Sequence, residues 1–243
     1  MRIIKLPLLA AIMLTTGITA VKAQTADEIL EKHVTAMGGT EKWDNIKTIK
    51  KTGSLSVQGM DIAVTESIIT GKGLRVDFTV MGMSGFQIMT STAGYVMNPG
   101  QPKVDTLKPE MLKGVNEQLD EKIMYCLDCK NYKTIGTKTE LIGKDSVDNS
   151  LCYKIKITDK DGNESTSYFD ANTYYLLRTE RKIKKDEQEQ EVATTFKDYK
   201  KFADGIFMPM TVGSPMGEII FKTVDINQPV DEHIFIPTPP ATK

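Results

Sequence analysis

Apolar positions along this chain change their period twice. Thr25-Ala26-Asp27-Glu28 reads as a capping box, with Thr25 as the cap and Glu28 reaching back from the third helical position. Ile29, Leu30, His33, Val34 and Met37 then fall on one helical face. Gly38-Gly39 ends that helix, because glycine takes the left-handed conformation at little cost. Thr40 to Trp43 start one more short turn. After Ile46 the period drops to two. Leu55 and Val57 alternate with polar residues, as do Met60, Ile62 and Val64, then Leu74, Val76, Phe78 and Val80, then Phe86 and Ile88. Gln58-Gly59, Gly71-Lys72-Gly73, Gly82 to Gly85 and Ala93-Gly94 interrupt these runs, which predicts an antiparallel meander with one wet face.

The helical period returns once. Residues 99–108 read as a loop, and Pro109 suits the first turn of a helix. Met111, Leu112, Val115, Leu119 and Ile123 give that helix an apolar stripe, which Gly114 weakens by about 1 kcal/mol. Strands resume near Tyr132. Asp161-Gly162 predicts a hairpin turn between Tyr153–Ile157 and Ser167–Phe169. Tyr174–Ile183 pairs with Val192–Tyr199, which sets Lys182, Lys184 and Lys185 against Glu187, Glu189 and Glu191. Asp204-Gly205 is a further turn, Phe207–Val212 and Glu218–Ile226 are the last strands, and Pro237, Pro239 and Pro240 mark a tail over 237–243. The order is helix, about five strands, helix, about six strands, with no linker rich enough to divide it. The expected class is therefore α+β, mainly β: one large curved antiparallel sheet, an incomplete barrel, with two helices covering its concave face. A sheet of about ten strands must curl or close.

The first 23 residues stand apart. Met1 to Lys5 are short and basic, Leu6 to Ala20 are apolar, and Val21-Lys22-Ala23 places small residues before a cut. That predicts a cleaved signal peptide over 1–23 and a mature chain from Gln24, with an uncleaved anchor helix as the alternative. No cysteine follows the apolar core, so the expectation is an exported, periplasmic protein that is not a lipoprotein. No later stretch approaches the roughly 20 apolar residues of a membrane span. The whole chain carries 31 basic and 32 acidic side chains; without the leader these become 28 and 32, a net charge of −4. A mildly acidic chain lacks the electrostatic footprint of a nucleic-acid binder.

Chemistry is sparse. Cys126-Leu127-Asp128-Cys129 has redox spacing, but it follows a helix rather than opening one, where a thiol pKa would fall. Zinc would need Cys126, Cys129 and Cys152 with His33 or His233, a set without supporting spacing. The plainer reading is a disulfide using two of Cys126, Cys129 and Cys152, with Cys129–Cys152 as one option and connectivity open. Asp159-x-Asp161-Gly162-Asn163 misplaces the glycine of a calcium loop, so a hairpin turn is the better reading. Gly143-Lys144 is followed by Asp145 and is no phosphate loop. His33 lies on an apolar stripe and reads as a packed residue rather than a base. No catalytic residue, metal or cofactor is therefore assigned. Methionine is abundant, at 13 against a single Trp. Flexible thioethers fill ordinary cores, and they also line adaptable apolar sites. Several of these methionines are expected to border one hollow.

Three stretches carry a family resemblance. They are Ala26-Asp27-Glu28-Ile29-Leu30 through Ala36-x-Gly38-Gly39 to Glu41-Lys42-Trp43; Ser167-Tyr168-Phe169-Asp170 with Thr173-Tyr174-Tyr175-Leu176-Leu177-Arg178; and Phe196-Lys197-Asp198-Tyr199 with Asp204-Gly205-Ile206 and Pro209. Together they resemble exported proteins related to the outer-membrane lipoprotein carriers, the LolA/LolB-like proteins, over nearly all of residues 24–236. The resemblance implies an apolar half-barrel that holds acyl chains. The expected lining is Met60, Ile62, Val64, Val76, Phe78, Val80, Phe86, Ile88 and Met97. The expected lid is a helix around Leu30 and Val34 or around Leu112, Val115 and Leu119. The implied function is non-enzymatic binding of a lipid acyl chain or lipoprotein. The alternatives are an envelope interaction module whose hollow is filled by its own helices and, last, a thiol- or carboxylate-based enzyme.

Overall fold

A computed structural model describes residues 24–57, 59–101, 103–108, 112, 119, 121–125, 127, 136–160, 162–185 and 188–238. The expected leader 1–23 and the end of the tail lie outside the described residues, as do Val115, Cys126 and Cys129. Helix α1 spans Ala26–Ala36 and α2 spans Thr40–Asp44. The first meander comprises β1 (Thr48–Val57), β2 (Met60–Ile69), β3 (Gly73–Val80), β4 (Met83–Thr90), β5 (Gly94–Met97) and β6 (Asp105–Thr106). A single turn, α3 (Glu121–Met124), precedes the second meander: β7 (Lys138–Val147), β8 (Ser150–Thr158), β9 (Glu164–Asp170), β10 (Leu176–Lys185), β11 (Gln188–Lys201), β12 (Phe207–Ser214) and β13 (Gly217–Ile226). A 3-10 turn at Glu232–Phe235 follows.

The strands form one antiparallel sheet in the order β6-β5-β4-β3-β2-β1-β13-β12-β11-β10-β9-β8-β7. The chain thus starts in the middle, works outward to one edge, crosses to the far edge, and returns to pair its last strand with its first. Ile49 lies opposite Ile226 and Ser56 opposite Glu218 across that central seam. The edges β6 and β7 do not pair, so the barrel stays open. A bulge between Thr52 and Gly53 bends the seam. Gly53 is needed there, because a Cβ would stand 2.2 Å from the Ile220 carbonyl oxygen.

Helix α1 forms for the reasons its sequence states. Thr25 Oγ1 accepts from the Glu28 amide at 3.2 Å, and the Glu28 carboxylate accepts from the Thr25 amide at 3.2 Å. Gly38 ends it at φ 109, and a Cβ there would lie 2.5 Å from the Gly205 carbonyl oxygen. The helix buries Ile29, Leu30, His33 and Val34 against the sheet. Trp43 of α2 is 1% exposed, and its indole donates to the Met37 carbonyl at 2.9 Å. From the chain between β6 and β7, the described residues Leu119, Tyr125 and Leu127 lie on the same face. The Gly71 amide donates to the Leu119 carbonyl, and Tyr125 packs edge-on against both Trp43 and Phe196. Of the helix expected over 109–123, the described part is α3 with Leu112 and Leu119.

One strand boundary differs from expectation. Tyr174 was expected to open a strand. Instead it sits in the β9–β10 turn at φ 61, where Asp170 Oδ1 accepts from the amides of Asn172 and Thr173. That local polar closure outcompetes the β preference of the two tyrosines. Two of the expected charged pairs of the hairpin are in register, Lys182 opposite Glu191 and Lys184 opposite Glu189; Lys185 lies opposite Gln188 instead, and Glu187 is outside the described residues.

Candidate functional site: a two-storey concave face

Strand register sorts the side chains between the two faces. Ile49, Lys51, Gly53, Leu55 and Val57 of β1 lie opposite Ile68, Glu66, Val64, Ile62 and Met60 of β2. Leu74, Val76 and Phe78 of β3 follow opposite Ile68, Glu66 and Val64. Ile49, Ile68 and Leu74 belong to the core that α1 covers, so every residue in these rows, and Val80 two beyond Phe78, faces the concave side. Six of the nine expected lining residues therefore share that face: Met60, Ile62, Val64, Val76, Phe78 and Val80.

The other three do not. Phe86 and Ile88 lie opposite Asp77 and Arg75, and Met97 lies opposite Phe86, which puts all three on the convex side. They form a separate cluster with Tyr95, Val104 and Phe235, held down by the 3-10 turn as the Arg75 guanidinium donates to the Ile234 carbonyl at 2.8 Å. The alternation of Phe86 and Ile88 was visible in the sequence. Its phase against β3 was not, because the β3–β4 turn at Met81-Gly82 sets that phase, with φ of 50 and 79.

The concave face is divided along the strands. Its base half is filled. Ile29, Leu30, Val34, Met37, Trp43, Leu119, Tyr125 and Leu127 pack onto Ile49, Ile68, Leu74, Met89, Ile155, Phe169, Leu176, Phe196 and Met208. The expected lid residues Leu30, Val34 and Leu119 are thus part of this packing, with Leu112 beside it. His33 is fully buried there; Nδ1 lies 2.7 Å from the Tyr174 carbonyl and Nε2 2.8 Å from the Tyr125 carbonyl. Burial pushes its pKa down against the upward pull of both carbonyls.

The rim half, toward the turns after β1, β3 and β12, is less covered. Leu55, Val57, Ile62, Phe78 and Val80 are only half-buried, and Met60 and Met83 stand at the edge, 46% and 45% exposed. Val64 and Phe221 are buried beneath them. The methionines scatter instead of bordering one hollow: Met37, Met89 and Met208 are in the base core, Met97 is convex, and Met81 and Met216 stand on exposed hairpin tips.

An ion pair marks the boundary between the halves. Lys51 Nζ lies 2.9 Å from Glu66 Oε2, with the side chains 2% and 17% exposed. The ammonium also sits 4.8 Å from the centre of the Phe221 ring. The sequence contained a signal for this pair that the expectations passed over. Lys51 has the parity of Ile49 and Leu55, and Glu66 that of Val64 and Ile68, so each is a charge on an otherwise apolar face.

Cys126 and Cys129 lie outside the described residues, so the thiol, disulfide and zinc readings meet the structure only at Cys152, His33 and His233. Cys152 is a free thiol on the convex side, and burial, with the Asp170 charge adding to it, pushes it up to about 11. Such a thiol is not a thiolate nucleophile at neutral pH. Among the described residues no group of three His, Cys, Asp or Glu side chains is arranged for a metal. Both Asp159 carboxylate oxygens accept from Asn163, closing the hairpin turn read from the sequence. An open groove beside α1, lined by Glu28, Glu31, Lys32, Thr35, Ala36 and Tyr174, is shallow and faces solvent.

No family model matches the sequence, and no curated protein matches it. Solved structures do resemble it in shape. A DUF1329 family protein from Desulfovibrio piger superposes with a TM-score of 0.53 at 15% identity, covering 85% of this chain and 95% of that one. A LolA superfamily protein from Nitrosomonas europaea gives 0.51 at 12% identity, covering 88% and 98%. A domain described as an outer membrane lipoprotein-sorting protein, from Vibrio parahaemolyticus, gives 0.52 at 14% identity, covering 86% and 95%. At these identities the likeness is one of fold, and the fold of this chain is the LolA-like open half-barrel.

Proposed function

We propose that this chain is an exported, non-catalytic binding protein of the cell envelope that holds an acyl chain in the rim half of its concave face. The observation that carries this reading is the half-buried apolar strip of Leu55, Val57, Ile62, Phe78 and Val80, which a closed core of this size would bury. Each methylene laid on the strip would contribute about 0.8 kcal/mol. The base half, already packed by α1, Leu119, Tyr125 and Leu127, is a floor rather than part of the pocket.

The test is native mass spectrometry of protein purified from the envelope fraction, paired with displacement of a fluorescent acyl probe. A bound mass of lipid size and probe binding that Ile62→Glu abolishes are expected. Purified protein that carries no lipid and binds no probe would sink the proposal. The packing of the base half favours a second reading, an interaction module for an envelope protein. That reading predicts recovery of one reproducible protein partner and no probe binding.

A further inference from the structure

The Lys51–Glu66 pair has no use in a purely apolar pocket. Two charges taken out of water are costly, and apolar residues of similar volume would pack the same site at least as stably. Among the described ion pairs it is the one with both partners below one-fifth exposed. It also lies at a particular depth. Glu66 lies six positions along β2 from Met60 at the rim, about 20 Å at the rise of a strand. Between them the concave rows carry Ile62 and Val64 on β2, Leu55 and Val57 on β1, and Phe78 and Val80 on β3, all apolar. The strip therefore ends not on the packed floor but on a carboxylate that keeps 17% of its side chain exposed and has acceptor positions beyond the single contact with Lys51 Nζ.

We infer that the occupant binds head-inward: a single-chain amphiphile whose buried end carries a hydrogen-bond donor, a hydroxyl or an amide N–H, donating to Glu66 while the chain runs outward along the apolar strip. The inference rests on the acyl-binding reading above and adds the polarity and direction of the ligand. A carboxylate head is disfavoured, because it would meet the Glu66 carboxylate. An ether-capped chain is disfavoured too, because it leaves that acceptor unmatched. Lys51 acts as a positioning residue, holding Glu66 in the wall.

The test uses the full mature chain and four probes of equal chain length: a fatty alcohol, a monoacylglycerol, a fatty acid and an alkyl methyl ether. The two hydroxyl probes should bind about tenfold tighter than the ether, the size of one hydrogen bond to a charged group, and tighter than the acid at neutral pH. The double variant Lys51→Met/Glu66→Leu, which removes both members of the pair, should bind all four within about twofold of one another. A preference that survives in the double variant overturns the inference while leaving acyl binding intact. If no probe binds the natural chain, the acyl-binding reading itself fails. If the variant does not fold, intermolecular NOEs in the natural chain decide. The hydroxyl-bearing carbon should contact the Phe221 ring and the terminal methyl should contact Met60; the reverse assignment overturns the inference.

Discussion

The two halves of the concave face are built from the same strands and do opposite things. In the base half, Ile49 of β1 and Ile68 of β2, with Phe169, Leu176 and Met208 on the far blade, lose essentially all exposure, because α1, α2, Leu119, Tyr125 and Leu127 bring apolar surface to meet them. In the rim half the same β1, β2 and β3 continue their alternation, but Ile62, Phe78 and Val80 stay partly wet. The difference shows that alternation specifies which face a residue takes and not whether that face is covered. Coverage comes from distant segments, and Lys51 and Glu66 sit where it stops.

The comparison predicts unequal costs. Trp43→Ala in the base half removes a large, fully packed side chain and its hydrogen bond to Met37, so denaturant unfolding should show a loss of about 3–5 kcal/mol. Lys51→Met alone leaves Glu66 without its cation. It should cost about 3 kcal/mol, most of it recovered when Glu66→Leu is added; a double variant no more stable than the single one would contradict the pair's assignment. Gly38→Ala forces a Cβ toward the Gly205 carbonyl at a left-handed φ. About 2 kcal/mol should be lost in thermal melts, with the α1 end loosened in amide exchange. His33 has a folded pKa below its ordinary 6.5, so the unfolded chain binds the extra proton first. Stability should therefore be fully present above about pH 6.5 and decline as the pH falls below it. Between about pH 6.5 and 5, above the carboxylate range, melts of the natural chain should show a loss of stability toward acid that His33→Gln lacks. The smallest effect belongs to the rim: Val80→Ala should change stability by under about 1 kcal/mol while weakening acyl-probe binding. Equal stability losses at Trp43 and Val80 would erase the distinction between the halves.

Much of the architecture was legible because it rests on local rules. The capping box at Thr25 and Glu28, the stop at Gly38, the β2 and β3 alternation and the Asp159–Asn163 turn all depend on residues within a few positions of one another. The errors lie where distance matters. Phe86 and Ile88 alternate as cleanly as Ile62 and Val64, yet a turn of two left-handed residues and a C-terminal strap carrying Phe235 set them on the other side. Tyr174 was read as strand because tyrosine favours strands, and Asp170 closed a turn over it. Lys51 and Glu66 were legible by parity. A charge inside an apolar row has the pattern of a strand end, so parity alone does not separate a buried pair from a boundary.

The central seam has a consequence for how this chain reaches its folded state. Ile49 and Ile226 are neighbours in space and nearly the whole domain apart in sequence. Each meander zips locally, strand to next strand, as soon as its residues are present, whereas β1 can find β13 only after the last strand has emerged. Until then the sheet is two separate blades, with β1 and β12 as raw edges on either side of the gap, the kind of unpaired strand that recruits the wrong neighbour. Loss of the final strand would not merely fray an end. It would leave the two blades without their joint, with the charged pair and the strip above it opened to water along a line through the middle of the molecule.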